Sequence, residues 1–215
     1  MGADFLSISI VLIKNNFFKV LATHGKNRFG GEDFDDILML NKAFDSAFLK
    51  TPKYLNKLKN LCEEAKIKLS NSNEAIIEFK DFGKYSNYLN PEKFERYLFE
   101  QNCHIFELIT TKIKELIKYA NMNENNIDNI VLSGGSVYIQ KIQEIISEFF
   151  GKKQIEICPN NSEAACMGGA IYSAYISNVK NEKISNIKII DAIPFRLIAQ
   201  SGVKEFGDVY ELVPK

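Results

Sequence analysis

Three glycine pairs and one polar helical stripe are the places where this chain could do chemistry. Gly134-Gly135 follows the apolar run Asn129-Ile-Val-Leu-Ser133 and precedes Ser136 and a helical pattern through Ile139, Ile142, Ile145, Ile146 and Phe149. A strand, two glycines and a helix start bring backbone N–H groups and the positive end of a helix dipole to one point, where a phosphate or nucleoside can come close to bare backbone. Gly30-Gly31 stands before Glu32-Asp33, acidic residues of the kind a helix N-terminus favours. Gly168-Gly169 lies inside a helical pattern and reads as a place of close helix packing. Each pair also has a plain reading as a turn or a tight contact. Glu63, Lys66 and Ser70 fall at i, i+3 and i+7, on one face of a helix. They could be a solvated stripe with a Glu–Lys pair worth about 0.3 kcal/mol, or a ledge that hydrogen-bonds a ribose and a base. Spacing favours the stripe.

These residues need elements to hold them. Phe5 to Ile13 and Phe17 to Thr23 are β-rich runs joined by Asn15-Asn16, the pattern of a hairpin. So strong a strand with four residues before it suggests a piece of a longer protein. A helix is predicted from Phe34 to about Leu49 and another from Lys53 to Leu69, with Leu55, Leu58, Leu61, Cys62 and Ala65 on one face. Ile76 to Phe79 and Tyr85 to Leu89 read as short strands. Pro91 suits the first position of a long helix from Glu92 to about Ala120, interrupted near Asn102. The last third alternates between strand and helix: the strand at 129–133, a helix capped by Ser136, and a helix from Glu163 to Ile176. A polar linker follows at Asn178 to Asn186, then strand-like runs at Ile187 to Ile198 and Val209 to Val213.

Composition narrows the function. The 215 residues are 46% hydrophobic and 25% charged, ordinary for a packed domain, and 27 basic side chains cancel 27 acidic ones. Without a basic excess, phosphate-led binding of nucleic acid is disfavoured. Lys outnumbers Arg 24 to 3, the arginines being Arg28, Arg96 and Arg196, so bidentate anion clamps are scarce. Cys62, Cys103, Cys158 and Cys166 form no C-x-x-C and pair with neither His24 nor His104, which excludes the common zinc and redox signatures and fits a reducing compartment. The longest apolar stretch is about half a membrane span. No secretory leader is visible, and Leu6 at the sixth position weakens a myristoylation reading of Met-Gly.

Several blocks taken together resemble the heat shock 70 kDa (DnaK-type) chaperone family. They are Gly30-Gly-Glu-Asp-Phe-Asp35, Cys62-Glu-Glu-Ala-Lys66 with Leu69-Ser70, Val131-Leu-Ser-Gly-Gly-Ser136 with Ile139 and Lys141-Ile-Gln143, and Glu163-Ala164 with Gly168. The resemblance implies an α/β fold: the second lobe of an actin-like (ribonuclease H-like) ATPase domain. Residues 1–29 and 99–180 would form the inner subdomain and 30–98 an outer subdomain inserted into it. Residues 181–215 would lead through the interdomain linker to the first strands of a peptide-binding domain. Lys188 interrupts that linker and weakens it as a docking strand. By resemblance the ligand is ATP or ADP: Glu63, Lys66 and Ser70 would face the adenosine, Gly134, Gly135, Ser136 and Tyr138 its other side, and Gly31 the phosphates. No catalytic or metal-binding residue is assigned, and magnesium in the full-length protein is left open. The implied partners are other chaperones, J-domain proteins or exchange factors, and unfolded polypeptide, with no nucleic acid and no membrane.

The departures from the family pattern carry equal weight. Where the family has a Gly-Gly-Gly-Thr phosphate loop, this chain has Gly2-Ala-Asp-Phe5. Ser7 stands where the family has a cation-linked Asp, Ile67 and Tyr138 replace two arginines that flank adenine, and Ser162 replaces an Asp. Loss of an Arg stacked on a base is worth about 0.5–2 kcal/mol. Loss of a preorganised group at a phosphoryl-transfer site costs about 3–4 kcal/mol. Binding is therefore dented while hydrolysis is largely lost. The expected protein is a divergent chaperone or co-chaperone similar to the 110 kDa exchange-factor or ribosome-associated branch, acting in protein folding and the stress response in the cytoplasm, or less favourably the endoplasmic reticulum lumen. The isolated chain is expected not to hydrolyse ATP. Two alternatives stay open: an ordinary ATP-hydrolysing chaperone of the family, and an interaction scaffold that binds no nucleotide.

Overall fold

The computed structural model describes residues 1–40, 51–80, 82–83, 86, 89–101, 103–192, 197–200 and 209–213, the last two segments by backbone alone. The predicted hairpin is present: β1 (Phe5–Lys14) pairs antiparallel with β2 (Phe17–Asn27), with Asn15 at φ 55° in the turn. An irregularity at Ile10/Val11 shifts the register. Asn tolerates that left-handed turn conformation, which is why Asn15-Asn16 closes the hairpin.

α1 (Gly31–Leu40) and α2 (Pro52–Leu69) pack on each other. The 3.6-residue pattern of α2 buries Leu58, Cys62, Ala65 and Leu69. Residues 41–50, which hold the end predicted for the first helix, lie outside the described residues. Phe34 on α1 is fully buried, with ring centroids 6.0 Å from Phe99 and 5.4 Å from Phe106. These three rings tie α1 to the helices that follow.

The segment after α2 departs from the sequence pattern. β3 (Glu74–Ile77) pairs antiparallel with β4 (Glu92–Glu95), and helix begins only at α3 (Arg96–Gln101) and resumes as α4 (Ile105–Tyr119). Pro91 therefore precedes a strand and opens no helix. Ala75 and Ile77 alternate with exposed neighbours on β3, and Phe94 is buried from β4, so pairing across a half-buried hairpin outweighs helix propensity there. The strand expected at Tyr85 to Leu89 falls mostly outside the described residues.

β5 (Ile130–Leu132) pairs parallel with β6 (Ile155–Ile157) across α5 (Gln140–Phe149). α6 (Ala164–Ile176) has no buried residue. Among the described residues a side chain added at Gly168 or Gly169 would meet nothing within 4 Å, which corrects the expectation of close packing there. The polar linker contains α7 (Glu182–Ser185), its first turn capped by the Asn181 side chain. β7 (Lys188–Ile190) then joins the hairpin sheet parallel to β2, Phe17 opposite Lys188. Lys188 is exposed and does not prevent this pairing. β8 (Leu197–Gln200) and β9 (Val209–Val213) pair with each other. Among the described residues no helix is long and apolar enough to cross a membrane.

Candidate functional site

The head of α1 is built from backbone and one carboxylate. Helix starts leave N–H groups without intrahelical partners. Here the Gly31 N–H donates to the Gly2 carbonyl at 2.9 Å and the Glu32 N–H to the Ala3 carbonyl at 2.8 Å, while the Gly30 N–H donates to Asp33 Oδ2 at 2.6 Å. The chain's first three residues therefore lie across the helix start. A side chain at Gly30 would meet the Ala3 carbonyl oxygen at 2.2 Å, so that close approach requires glycine.

α2 supplies the next group. Lys66 turns inward, Nζ donating to Asp35 Oδ2 at 2.9 Å and to the Gly31 carbonyl at 3.0 Å, with both side chains about nine-tenths buried. Burial pushes the Asp35 carboxyl up to about 6, against the pull of the Lys66 hydrogen bond and charge. Its other oxygen, Oδ1, is buried with no hydrogen-bond partner among the described residues. Ser70 is buried and its hydroxyl donates to the Lys66 carbonyl at 3.2 Å. Glu63 is exposed. The stripe thus divides: Lys66 pairs with Asp35 across the helices, and Glu63 stays in solvent.

The Gly134 turn forms the opposite side. Gly134 takes φ 98°, and a side chain there would meet the Met1 carbonyl oxygen at 2.1 Å. Asn161, buried to 3% exposure, closes this turn as a backbone mimic. Its Oδ1 accepts the Gly134 N–H at 2.6 Å and its Nδ2 donates to the Gly134 carbonyl at 2.8 Å. Ser136 lies inside a single 3-10 turn (Gly135–Tyr138), and Ile139 caps α5, so the role expected for Ser136 as a helix cap is corrected. The Ser136 hydroxyl donates instead to the Gly2 carbonyl at 2.8 Å, and its N–H donates to the Met1 carbonyl at 3.3 Å. Tyr138 is half exposed.

The two sides meet at Gly31. A side-chain carbon there would sit 2.8 Å from Ser136 Oγ and 3.3 Å from Lys66 Nζ. Gly31, Lys66 and Ser136 are brought together, with Ser70 one turn along α2 and Gly134 and Gly135 on the Ser136 turn. Glu63, Gly135 and Tyr138 are the candidate residues left exposed to solvent.

Sequence reasoning gave no role to three residues that the structure places here: Asp35, Asn161 and Arg96. Asp35 closes the Gly30–Asp35 run and faces Lys66. Asn161 stands in the polar run Asn160-Asn161-Ser162, to which the sequence assigned no place at the site. Arg96 donates from Nε to the carbonyls of Leu69 and Ser72 at 2.6 and 3.1 Å, and from Nη1 to Gln140 Oε1 at 2.6 Å. It also borders an open hollow of about 380 Å³ with Asn73, Glu74, Glu95, Tyr97 and Glu100.

A cation, a hydroxyl and bare glycine backbone converge, with an orphaned carboxylate oxygen beside them. The N–H groups that could cradle phosphate are already taken by carbonyls of residues 2 and 3, and Asp4 adds negative charge nearby. Among the described residues no group of three or more His, Cys, Asp or Glu side chains could hold a metal ion.

Comparison with known proteins bears on the chain as a whole. A family model described as "Hsp70 protein" matches residues 1–211. Heat shock cognate 70 kDa protein 3 of Dictyostelium discoideum is 30% identical over 223 residues, an alignment that covers all of this chain and 34% of that relative. The chain therefore spans about a third of the length of the curated relative it matches. With the Gly30–Asp35 run, the Lys66 helix and the Gly134–Ser136 turn assembled around one point, and with the family model matching almost end to end, the chain belongs to the Hsp70 family and has the α/β fold of its actin-like ATPase domain.

Proposed function

We propose that this chain is the nucleotide-binding lobe of a divergent Hsp70-type chaperone or co-chaperone that holds ATP or ADP and hydrolyses ATP slowly. The observation that carries the reading is the meeting of Lys66 and Ser136 at Gly31, which joins two sequence blocks more than sixty residues apart at a close approach of two polar side-chain ends to bare backbone. In this reading Lys66 and Ser70 present one polar wall to the adenosine, and Gly134, Gly135 and Ser136 the other. Glu63 and Tyr138 close over it from their exposed positions, Tyr138 stacking on the base in place of an Arg. Gly31 lies towards the phosphates.

Slow hydrolysis rests on the first residues. Phe5 offers no hydroxyl, Ser7 no carboxylate and Asp4 the wrong charge for a phosphate loop. Without preorganised groups for the transferred phosphoryl, the expected loss is about 100- to 1000-fold in rate. The full-length protein would then serve folding in the cytoplasm as a partner of other chaperones, J-domain proteins or exchange factors, with magnesium accompanying the phosphates.

Calorimetry with ATP and single-turnover hydrolysis on the full-length polypeptide test this. Binding without appreciable turnover supports the reading. Turnover stimulated by a J-domain protein at rates ordinary for the family would show a conventional chaperone, and no heat at millimolar ATP would show an interaction scaffold.

A further inference from the structure

Arg96 begins α3, outside every block that resembles a nucleotide motif, yet its guanidinium touches both walls of the candidate site. Nε reaches the carbonyl of Leu69, the last residue of α2, and that of Ser72 just beyond it. Nη1 reaches the side chain of Gln140, the first residue of α5. Leu69 neighbours Ser70 and lies three residues from Lys66; Gln140 lies two residues past Tyr138 and four past Ser136. One side chain therefore spans the element that carries Lys66 and the turn that carries Ser136, over 44 residues of chain.

The chemistry suits arginine in particular. The last carbonyls of a helix lack intrahelical donors, and a cation at a helix C-terminus is favoured by the dipole. A lysine could serve that end equally well. Only the planar fork, with donors fixed in divergent directions, can cap α2 and hold Gln140 together. The backbone supports this placement, because the Arg96 N–H donates to the Asn73 carbonyl at 2.8 Å. The side chain is held at its root as well as its tip.

We propose that Arg96 is a positioning residue for the nucleotide, a clamp that keeps the α2 wall and the Ser136–Gln140 wall at a fixed separation and so slows nucleotide release. It touches no nucleotide itself. The proposal rests on the nucleotide reading above, since a clamp across the two walls matters to release only if a nucleotide lies between them. Of the three arginines, whose scarcity marks this chain, one is thereby assigned to the site without belonging to any of its motifs.

The test uses the full-length polypeptide, a fluorescent ADP analogue and a chase with unlabelled ADP. Gln140→Ala removes the exposed end of the clamp and leaves the α2 cap in place, so folding is little disturbed. Release is expected to quicken about three- to tenfold, the equivalent of one hydrogen bond, with association unchanged. Arg96→Lys keeps the charge and the cap but loses the span, and is expected to match Gln140→Ala. The double variant Arg96→Ala/Gln140→Ala should release no faster than Arg96→Ala alone. Gln140→Glu keeps the acceptor and adds charge, and release should slow. Hydrogen exchange without nucleotide should show residues 69–73 and 139–142 exchanging faster together in Gln140→Ala. A wild type that binds ADP, with release and exchange both unmoved by Gln140→Ala, overturns the clamp alone. A wild type that binds no ADP removes the nucleotide reading, and with it the role given to Arg96.

Discussion

Lys66 Nζ and Asp35 Oδ2 lie 2.9 Å apart, and the same ammonium holds the Gly31 carbonyl at 3.0 Å. One buried cation thus ties the last turn of α2 to the first two turns of α1, at the point where Ser136 approaches from the other side. Burying two charges is costly even when they are paired, and the cost is visible in the carboxylate. Asp35 keeps one oxygen unpartnered, and its carboxyl is pushed well above the ordinary range.

That displacement makes stability depend on pH in a defined direction. In the unfolded chain Asp35 loses its proton near pH 4; in the folded chain it does so at about 6. Between those values the native state binds more protons than the unfolded state, so the Asp35 contribution falls as pH rises and is fully lost above about pH 6. Two units correspond to about 3 kcal/mol, and the side chain is too well buried for solvent screening to remove it. Urea unfolding of Asp35→Asn and wild type at pH 4 and pH 7 checks this. The free-energy gap should move in favour of the variant by about 2–3 kcal/mol at the higher pH. A gap that stays constant would sink the assignment.

The two sides of the site were unequally legible in the sequence. Gly30–Asp35 and Val131–Ser136 announce themselves because a glycine that must touch backbone has no substitute. The hairpin at Phe5 to Thr23 and the apolar face of α2 follow from period alone. What sequence could not supply was partner choice over distance. Lys66 and Glu63 share a helix face, and nothing local says that Lys66 prefers an aspartate 31 residues away. Asn161 looks like loop, because its two bonds to Gly134 exist only once β5 and β6 are aligned in parallel. Glu92 to Glu95 reads as helix because the hairpin partner that overrides its propensity, Glu74–Ile77, is not adjacent. Gly168-Gly169 misled for the opposite reason: helical glycines suggest a close neighbour, and α6 has none there among the described residues.

Asn161 should be among the costliest polar residues to lose. Asn161→Ala removes both side-chain bonds to Gly134, leaving the Gly134 carbonyl without this donor and its N–H with only the 3.3 Å bond to the Asn161 main-chain carbonyl, at about 1–3 kcal/mol for the unsatisfied carbonyl. Asn161→Asp keeps the acceptor for the Gly134 N–H but sets a carboxylate against the Gly134 carbonyl. Thermal unfolding should show both variants lowered, with Asn161→Asp recovering part of its loss as the pH is brought down towards 4. Equal melting temperatures for Asn161→Ala and wild type would remove the lock.

The four cysteines should separate by reactivity. Burial pushes the Cys62 thiol up to about 12 and the Cys103 thiol up to about 11, while Cys166 is exposed and Cys158 partly so. Thiolate is the reacting form. At pH 8 a disulfide reagent should therefore label Cys166 first and Cys158 next. Cys62 and Cys103 should be labelled only after denaturant is added. Mass spectrometry of the labelled peptides reads the order, and early labelling of Cys62 would contradict the packing of α1 on α2.

Phe5 is half exposed, and its ring lies against Gly25, where a side-chain carbon would sit 2.7 Å from it. Little core packing is therefore lost if Phe5 is shortened. Phe5→Thr supplies a hydroxyl at the start of β1, next to the segment that crosses the head of α1, and Ser7→Asp supplies a carboxylate for a cation, neither at a position that the fold needs. If the missing groups limit turnover, the double variant in the full-length polypeptide should raise single-turnover ATP hydrolysis by about 10- to 100-fold, part of what one preorganised group is worth, with a smaller change in ATP affinity. Asp4→Gly should add to the affinity instead, since it removes negative charge from the approach of an anion. Hydrolysis unchanged in Phe5→Thr/Ser7→Asp, with ATP still bound, would place the limit outside this loop. The slow step would then have to be sought in groups that this chain does not contribute.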